Sequence, residues 1–144
     1  MRAVGALIVS RRTKRALMQL RSASSTYGMN WGLWGGKLDN GEGDLEGLKR
    51  ELVEELGWPG VPNTVAISHI YTFVTKDKKF RHVSYLILCE DEFLPLLNRE
   101  SAGFSWVDLY CWPNPVHRNT AKMFASRSFR SALESIVYDK AANS

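Results

Sequence analysis

Gly36, Glu42, Arg50, Glu51, Glu54 and Glu55 stand at intervals that make chemical sense if a divalent metal ion is being held. Carboxylate oxygens are hard ligands, which select Mg²⁺ or Mn²⁺ and disfavour zinc, the partner of His and Cys. Like charges crowded on one helical face repel, so three glutamates there cost stability unless a cation sits among them. Arg50 lies beside Glu51 and one helical turn before Glu54, within reach to fix a carboxylate by a charge-assisted hydrogen bond. The plain alternative is an amphipathic helix whose glutamates face water. The nearby glycines, the additional Glu42 and the single Arg50 argue for the metal instead.

Two elements must position these groups. From Asp44 to Leu56 there is neither proline nor a run of β-branched residues, Gly57 follows as a stop and Pro59 forbids continuation, so this segment is predicted to be a helix. At about 100° per residue, Glu51, Glu54 and Glu55 share one sector while Leu45, Leu48, Leu52 and Leu56 form an adjoining apolar stripe. Gly35-Gly36 and Asp39-Asn40-Gly41 are turn chemistry, so the segment before the helix is expected to be a loop that folds Glu42 back toward the helical carboxylates.

The spacing from Gly36 through Glu42 to Arg50-Glu51-Leu52-Val53-Glu54-Glu55-Leu56-Gly57-Trp58 resembles the Nudix box of the Nudix hydrolase superfamily, with every charged and glycine position present. Trp58 replaces the final aliphatic residue. Upstream, Trp31-Gly32-Leu33-Trp34-Gly35-Gly36 is similar to the family's Trp-x-x-Pro-Gly-Gly lead-in, with Trp34 in place of Pro. The resemblance implies an α/β/α sandwich with a mixed β-sheet. It also implies Mg²⁺, or Mn²⁺, held by Glu51, Glu54 and Glu55 with the Gly36 carbonyl, Glu42 supporting the set and Arg50 aligning it. The activity it implies is pyrophosphohydrolysis of a nucleoside diphosphate linked to another group.

Residues outside the box complete the expectation. In many such proteins a Glu or Gln on a late loop, shortly before a Trp-containing strand, enters the metal site, which makes Glu100, ahead of Trp106, an additional ligand or general base, against a plain surface acid. Glu54 is the other candidate base. Val116-His117-Arg118-Asn119-Thr120 is similar to a segment of GDP-mannose hydrolysing members, so His117 is a candidate base or phosphate contact, against a helix-capping role. Arg21 and Lys37 are candidate substrate contacts. Substrate choice stays open among nucleoside triphosphates, nucleotide sugars, dinucleoside polyphosphates and capped RNA, and a Nudix-type module that binds nucleotide or RNA without cleaving it is the alternative.

A chain of 144 residues suits one domain spanning 1–144. Hydrophobic content of 44% and charged content of 24% are ordinary globular values, which leaves only Lys140 to Ser144 as a disordered candidate. No apolar run reaches a membrane span's length and the start lacks a signal-peptide pattern, so a cytoplasmic protein, monomer or homodimer, is expected. Cys89 and Cys111 form no CxxC, and Cys89 reads as a buried reduced thiol. The net charge of +4 is moderate. Arg11, Arg12, Lys14 and Arg15 cluster in one turn and Lys76, Lys78, Lys79 and Arg81 in another, as solubility at hairpin tips or as attraction for a phosphate-rich ligand or nucleic acid.

Apolar and β-branched patterning predicts strands over Ala3–Val9 and Ala16–Leu20, with Arg21 just past the second, a hairpin of Val65–Thr75 and Arg81–Cys89, and a short strand over Phe104–Val107. His69 and His82 within the hairpin read as packed or surface residues rather than catalysts. The polar loop Ser22–Asn30 reads as an ordinary loop, against the alternative that it borders a substrate cleft. Helical spacing from Asn119 to Tyr138 predicts one closing helix.

Overall fold

A computed structural model describes residues 1–138; the tail expected to be disordered lies outside them. The elements in order are β1 (Arg2–Ser10), β2 (Arg15–Arg21), β3 (Trp31–Gly32), β4 (Trp34–Lys37), α1 (Asp44–Leu56), β5 (Thr64–Val74), β6 (Arg81–Cys89), β7 (Ser101–Asp108), α2 (Arg118–Phe124) and α3 (Arg127–Val137). Helix α1 has the bounds expected from its sequence. Arg21 ends β2 instead of following it, because its backbone still pairs with Ser101 of β7.

The sheet is mixed. β1 runs parallel to β6 over its whole length, while the other pairings between these strands are antiparallel. The far edge of β1 is divided: its C-terminal end pairs with β2 through Ile8 and Val9, and its N-terminal part pairs with β4 through Ala3 to Ala6. β1 and β2 therefore splay apart, and the segment Trp31–Lys37 bridges the split by pairing first with β2 and then with β1.

The continuous apolar run of β1 is explained by burial on both faces. Leu7 and Val9 point into a core with Met18, Leu86, Met123, Phe129 and Leu133, beneath α2 and α3. Val4, Ala6 and Ile8 alternate to the other face and meet Leu48, Leu52, Leu56 and Trp34 beneath α1. Two helical layers thus enclose one sheet, the α/β/α sandwich expected.

Gly35-Gly36 is not a loop but part of strand β4, pairing with Gly5 and Val4. A Cβ on Gly35, where φ is +144°, would lie 2.1 Å from the Val4 carbonyl oxygen, so here glycine marks close approach of two backbones rather than a turn. The closing helix is also two helices. Ser126 interrupts it: its hydroxyl accepts a hydrogen bond from the Phe129 amide and starts α3 as an N-cap, a choice Ser favours over helix interior. The strand expected over Phe104–Val107 extends to Ser101–Asp108 because all of β2 pairs along it.

Candidate functional site

α1 is set on the sheet by its leucines, and the same docking buries two of its glutamates. Glu51 is 8% exposed and Glu55 1%, while Glu54 faces solvent. The carboxylate sector and the apolar stripe adjoin closely enough that the edge of α1 facing β4 is acidic and buried together.

Arg50 organises one half of the site. Its Nε and Nη2 donate to the two oxygens of Glu42 at 2.8 and 2.9 Å, a two-point fork. Its Nη1 donates to Glu51 at 3.1 Å and to Glu54 at 3.3 Å, and Nη2 also reaches the Lys37 carbonyl at 3.2 Å. The bend Asp39–Glu42 delivers Glu42 as expected, closed by a hydrogen bond that the Glu42 backbone amide donates to the Asp39 carbonyl. The Asp39 amide donates back to Glu42 Oε1. These bonds, led by that from Arg50, pull the Glu42 carboxyl down to about 2.

Glu55 organises the other half. It accepts from the Gly35 amide at 2.6 Å and from Gln19 Nε2 at 2.9 Å. Burial nonetheless pushes its carboxyl up to about 8, with repulsion from Glu51 and Glu100 adding to the rise. Glu51 is also raised, first by burial and then by Glu54 and Glu100, against the lowering effect of Arg50. Glu100 thus stands within electrostatic reach of both buried glutamates. Its loop is tied to α1 through Asn98, whose side chain donates to the Glu54 carbonyl at 3.0 Å and accepts from the Glu100 amide at 2.9 Å.

The donor set suits a hard divalent cation. Two buried carboxylates repel one another and resist ionisation, and the one guanidinium among them is shared by three glutamates. A Cβ on Gly36 would lie 2.7 Å from Glu51 Oε1, so the missing side chain is what lets this carboxylate sit against the β4 backbone. The side chains are turned onto Arg50, Gln19 and Gly35, and among the described residues no three acidic, His or Cys groups form a ready-made ligand cluster.

β4 carries the site into a cavity of about 420 Å³, whose lining includes Gly36, Lys37, Arg21 and His117. The Ser22–Asn30 loop does border it, through Thr26 and Tyr27. His117 caps α2: its Nδ1 accepts from the Asn119 amide at 3.1 Å, and its ring meets Tyr27 edge-on at 4.6 Å. Burial lowers its pKa, and the neutral ring with Nδ1 accepting carries its proton on Nε2. The capping role weighed in the sequence is present, and the ring keeps one donor for a ligand.

The arginines of the first basic turn are neutralised. Arg11, Arg12 and Arg15 pair with Glu90, Asp91 and Glu92 in turn. In the second cluster Arg81 lies 3.4 Å from Asp44. Cys89 is buried, and burial pushes its thiol up to about 12. No helix among the described residues is long and apolar enough to cross a membrane. Sequence reasoning missed Gln19 and Asn98. Gln19 carried a signal, a lone polar residue inside an apolar strand; Asn98 carried none.

A NUDIX domain family model matches residues 1–125. Among solved structures, the Nudix hydrolase RenU of M. smegmatis is similar with a TM-score of 0.74 at 22% identity, over 93% of this chain and 86% of its own. The NUDIX domain of Shewanella oneidensis NrtR, complexed with ADP ribose, has a TM-score of 0.69 at 17% identity, over 92% and 88%. The MutT protein of Methanosarcina mazei has a TM-score of 0.67 at 23% identity, over 92% and 94%. At these identities the likeness is one of fold. No curated protein sequence matches significantly.

Proposed function

The chain belongs to the NUDIX domain family, and from that premise we propose that it is a Mg²⁺-dependent pyrophosphohydrolase of nucleoside diphosphate-linked compounds, acting as one domain over residues 1–144. The observation that carries this reading is the pair of buried carboxylates, Glu51 and Glu55, against a glycine backbone at the edge of a cavity with cationic residues in its lining.

Glu51, Glu54 and Glu55 with the Gly36 carbonyl are the groups that would hold the cation. Bound there, Mg²⁺ supplies Lewis-acid stabilisation of phosphate oxygens and a water of lowered pKa. Arg50, braced by Glu42, keeps Glu51 and Glu54 oriented. Gln19 and the Gly35 amide do the same for Glu55. Glu54 and Glu100 are the proposed bases for the attacking water, and their exposure to solvent supports that role. Arg21, Lys37 and the Nε2 donor of His117 bind substrate from the cavity side. The lone Nε2 proton supports His117 as a phosphate donor over its reading as a base, and with it weakens the case for a GDP-mannose type of mechanism.

The diphosphate bridge of the ligand held by the Shewanella domain supports placing ADP-ribose-like compounds first among candidates. The paired arginines of the first turn weaken the RNA-binding alternative. A screen with Mg²⁺ over nucleoside triphosphates, nucleotide sugars, ADP-ribose and dinucleoside polyphosphates, reading the nucleotide and phosphorylated products by chromatography, tests the proposal. One strong hit lost in E54Q and E55Q supports it; tight binding without release identifies a sensor instead.

A further inference from the structure

The cavity beside β4 has a character the phosphate chemistry does not require. Tyr27, Tyr71, Phe73 and Phe80 contribute aromatic walls, and none of its described lining residues is acidic. A volume of about 420 Å³ falls within the range that encloses a small organic ligand. Flat aromatic walls beside a metal-ready edge fit a planar ring tethered to phosphate.

His82 lines this cavity from β6, and its ring lies over Gly5, where a Cβ would come within 3.0 Å of it. Its Nδ1 lies 3.3 Å from Ser84 Oγ, on a hydroxyl that is itself buried. No other hydrogen bond is made by the Ser84 hydroxyl among the described residues. With the Ser84 hydroxyl donating to Nδ1, the neutral ring carries its proton on Nε2. That Nε2 has no partner among the described residues, and no side-chain nitrogen or oxygen there is both sealed and unbonded, so it opens to the cavity. Burial, reinforced by nearby His117, holds His82 down at about 4, so it stays neutral at physiological pH.

We propose that the aromatic cavity takes the nucleobase and that His82, fixed by Ser84, is a specificity-determining donor to an acceptor atom on the base edge. Ser84 acts as the positioning residue. The inference rests on the nucleotide reading above and names the part of the ligand that this cavity recognises.

The test uses adenosine, guanosine, cytidine and uridine 5′-monophosphates, none of which has an anhydride to cleave, with ribose 5-phosphate as the base-free control. Calorimetric titration of the wild type at pH 7.5 is expected to show at least one nucleotide bound about 10-fold more tightly than ribose 5-phosphate. H82F should bring that preference to within about 3-fold, with ribose 5-phosphate affinity unchanged. H82Q, whose amide nitrogen restores a donor, should keep more of the preference than H82F. The inference is overturned if the wild type binds every nucleotide no better than ribose 5-phosphate, or if H82F, folded by circular dichroism, discriminates as the wild type does. Because no bond is cleaved, failed anhydride hydrolysis with intact base selection would sink the catalytic reading alone.

Discussion

Arg50 grips Glu42 at both oxygens, Nε to Oε2 at 2.8 Å and Nη2 to Oε1 at 2.9 Å, while its remaining nitrogen holds Glu51 and Glu54. One guanidinium thus sets the position of three carboxylates drawn from a bend and a helix. Lysine offers a point charge and cannot reproduce the fork. R50K is expected to lower kcat roughly 10- to 100-fold with thermal stability little changed, as read by steady-state rates beside calorimetry. Unaltered rates would remove Arg50 from the account.

Glu42 gives a pH signature. Its folded carboxyl titrates at about 2, below the ordinary 4.5, so its stabilisation is complete above 4.5 and is lost as the pH falls toward 2. Urea midpoints between pH 5 and pH 2.5 should fall less steeply for E42Q than for the wild type. Parallel slopes would show that the fork contributes nothing to folding.

Glu55 has the opposite sign. Burial raises its carboxyl from 4.5 to about 8, so the folded state binds the proton more tightly and metal-free protein loses stability as the pH rises through that interval. E55Q keeps a neutral side chain throughout. In EDTA it should match the wild type near pH 5 and exceed it near pH 8 by a margin on the order of 1–3 kcal/mol, measured by urea unfolding. A destabilised E55Q at pH 8 would contradict the strained carboxylate.

Gly36 is required for space. An alanine there would place its Cβ 2.7–2.8 Å from the Glu51 carboxylate atoms, pressing a buried charge away from β4. G36A should weaken Mg²⁺ binding by about 10-fold, followed by calorimetric titration, with the sheet intact by circular dichroism. Wild-type affinity would mean that the close contact is incidental.

Much of this was legible in the residues, for identifiable reasons. α1 was bounded correctly because Gly57 and Pro59 stop it unambiguously, and β1 was found, one residue short at each end, because burial on both faces makes an apolar run. β3 and β4, only two and four residues long and rich in glycine, carry no periodicity, so Gly35-Gly36 read as a turn. The break at Ser126 hid inside a hydrophobic pattern that continues on both sides in the same core. In the site, Arg50, Glu51, Glu54 and Glu55 follow from spacing along one helix. Gln19 and Asn98 meet it only through the tertiary fold, as do the pairings of Arg11, Arg12 and Arg15 with acids about eighty residues away.

The central claim is that Glu51, Glu54 and Glu55 hold a divalent cation for anhydride hydrolysis. It is tested most directly by release of phosphate-containing products from ADP-ribose and other nucleoside diphosphate-linked compounds, with Mg²⁺ and with EDTA. The account predicts turnover of at least one compound, abolished by EDTA, restored by Mg²⁺ and lowered roughly 10²- to 10⁴-fold in E54Q. Turnover that persists in EDTA, or that E54Q and E55Q leave at wild-type rates, would contradict it.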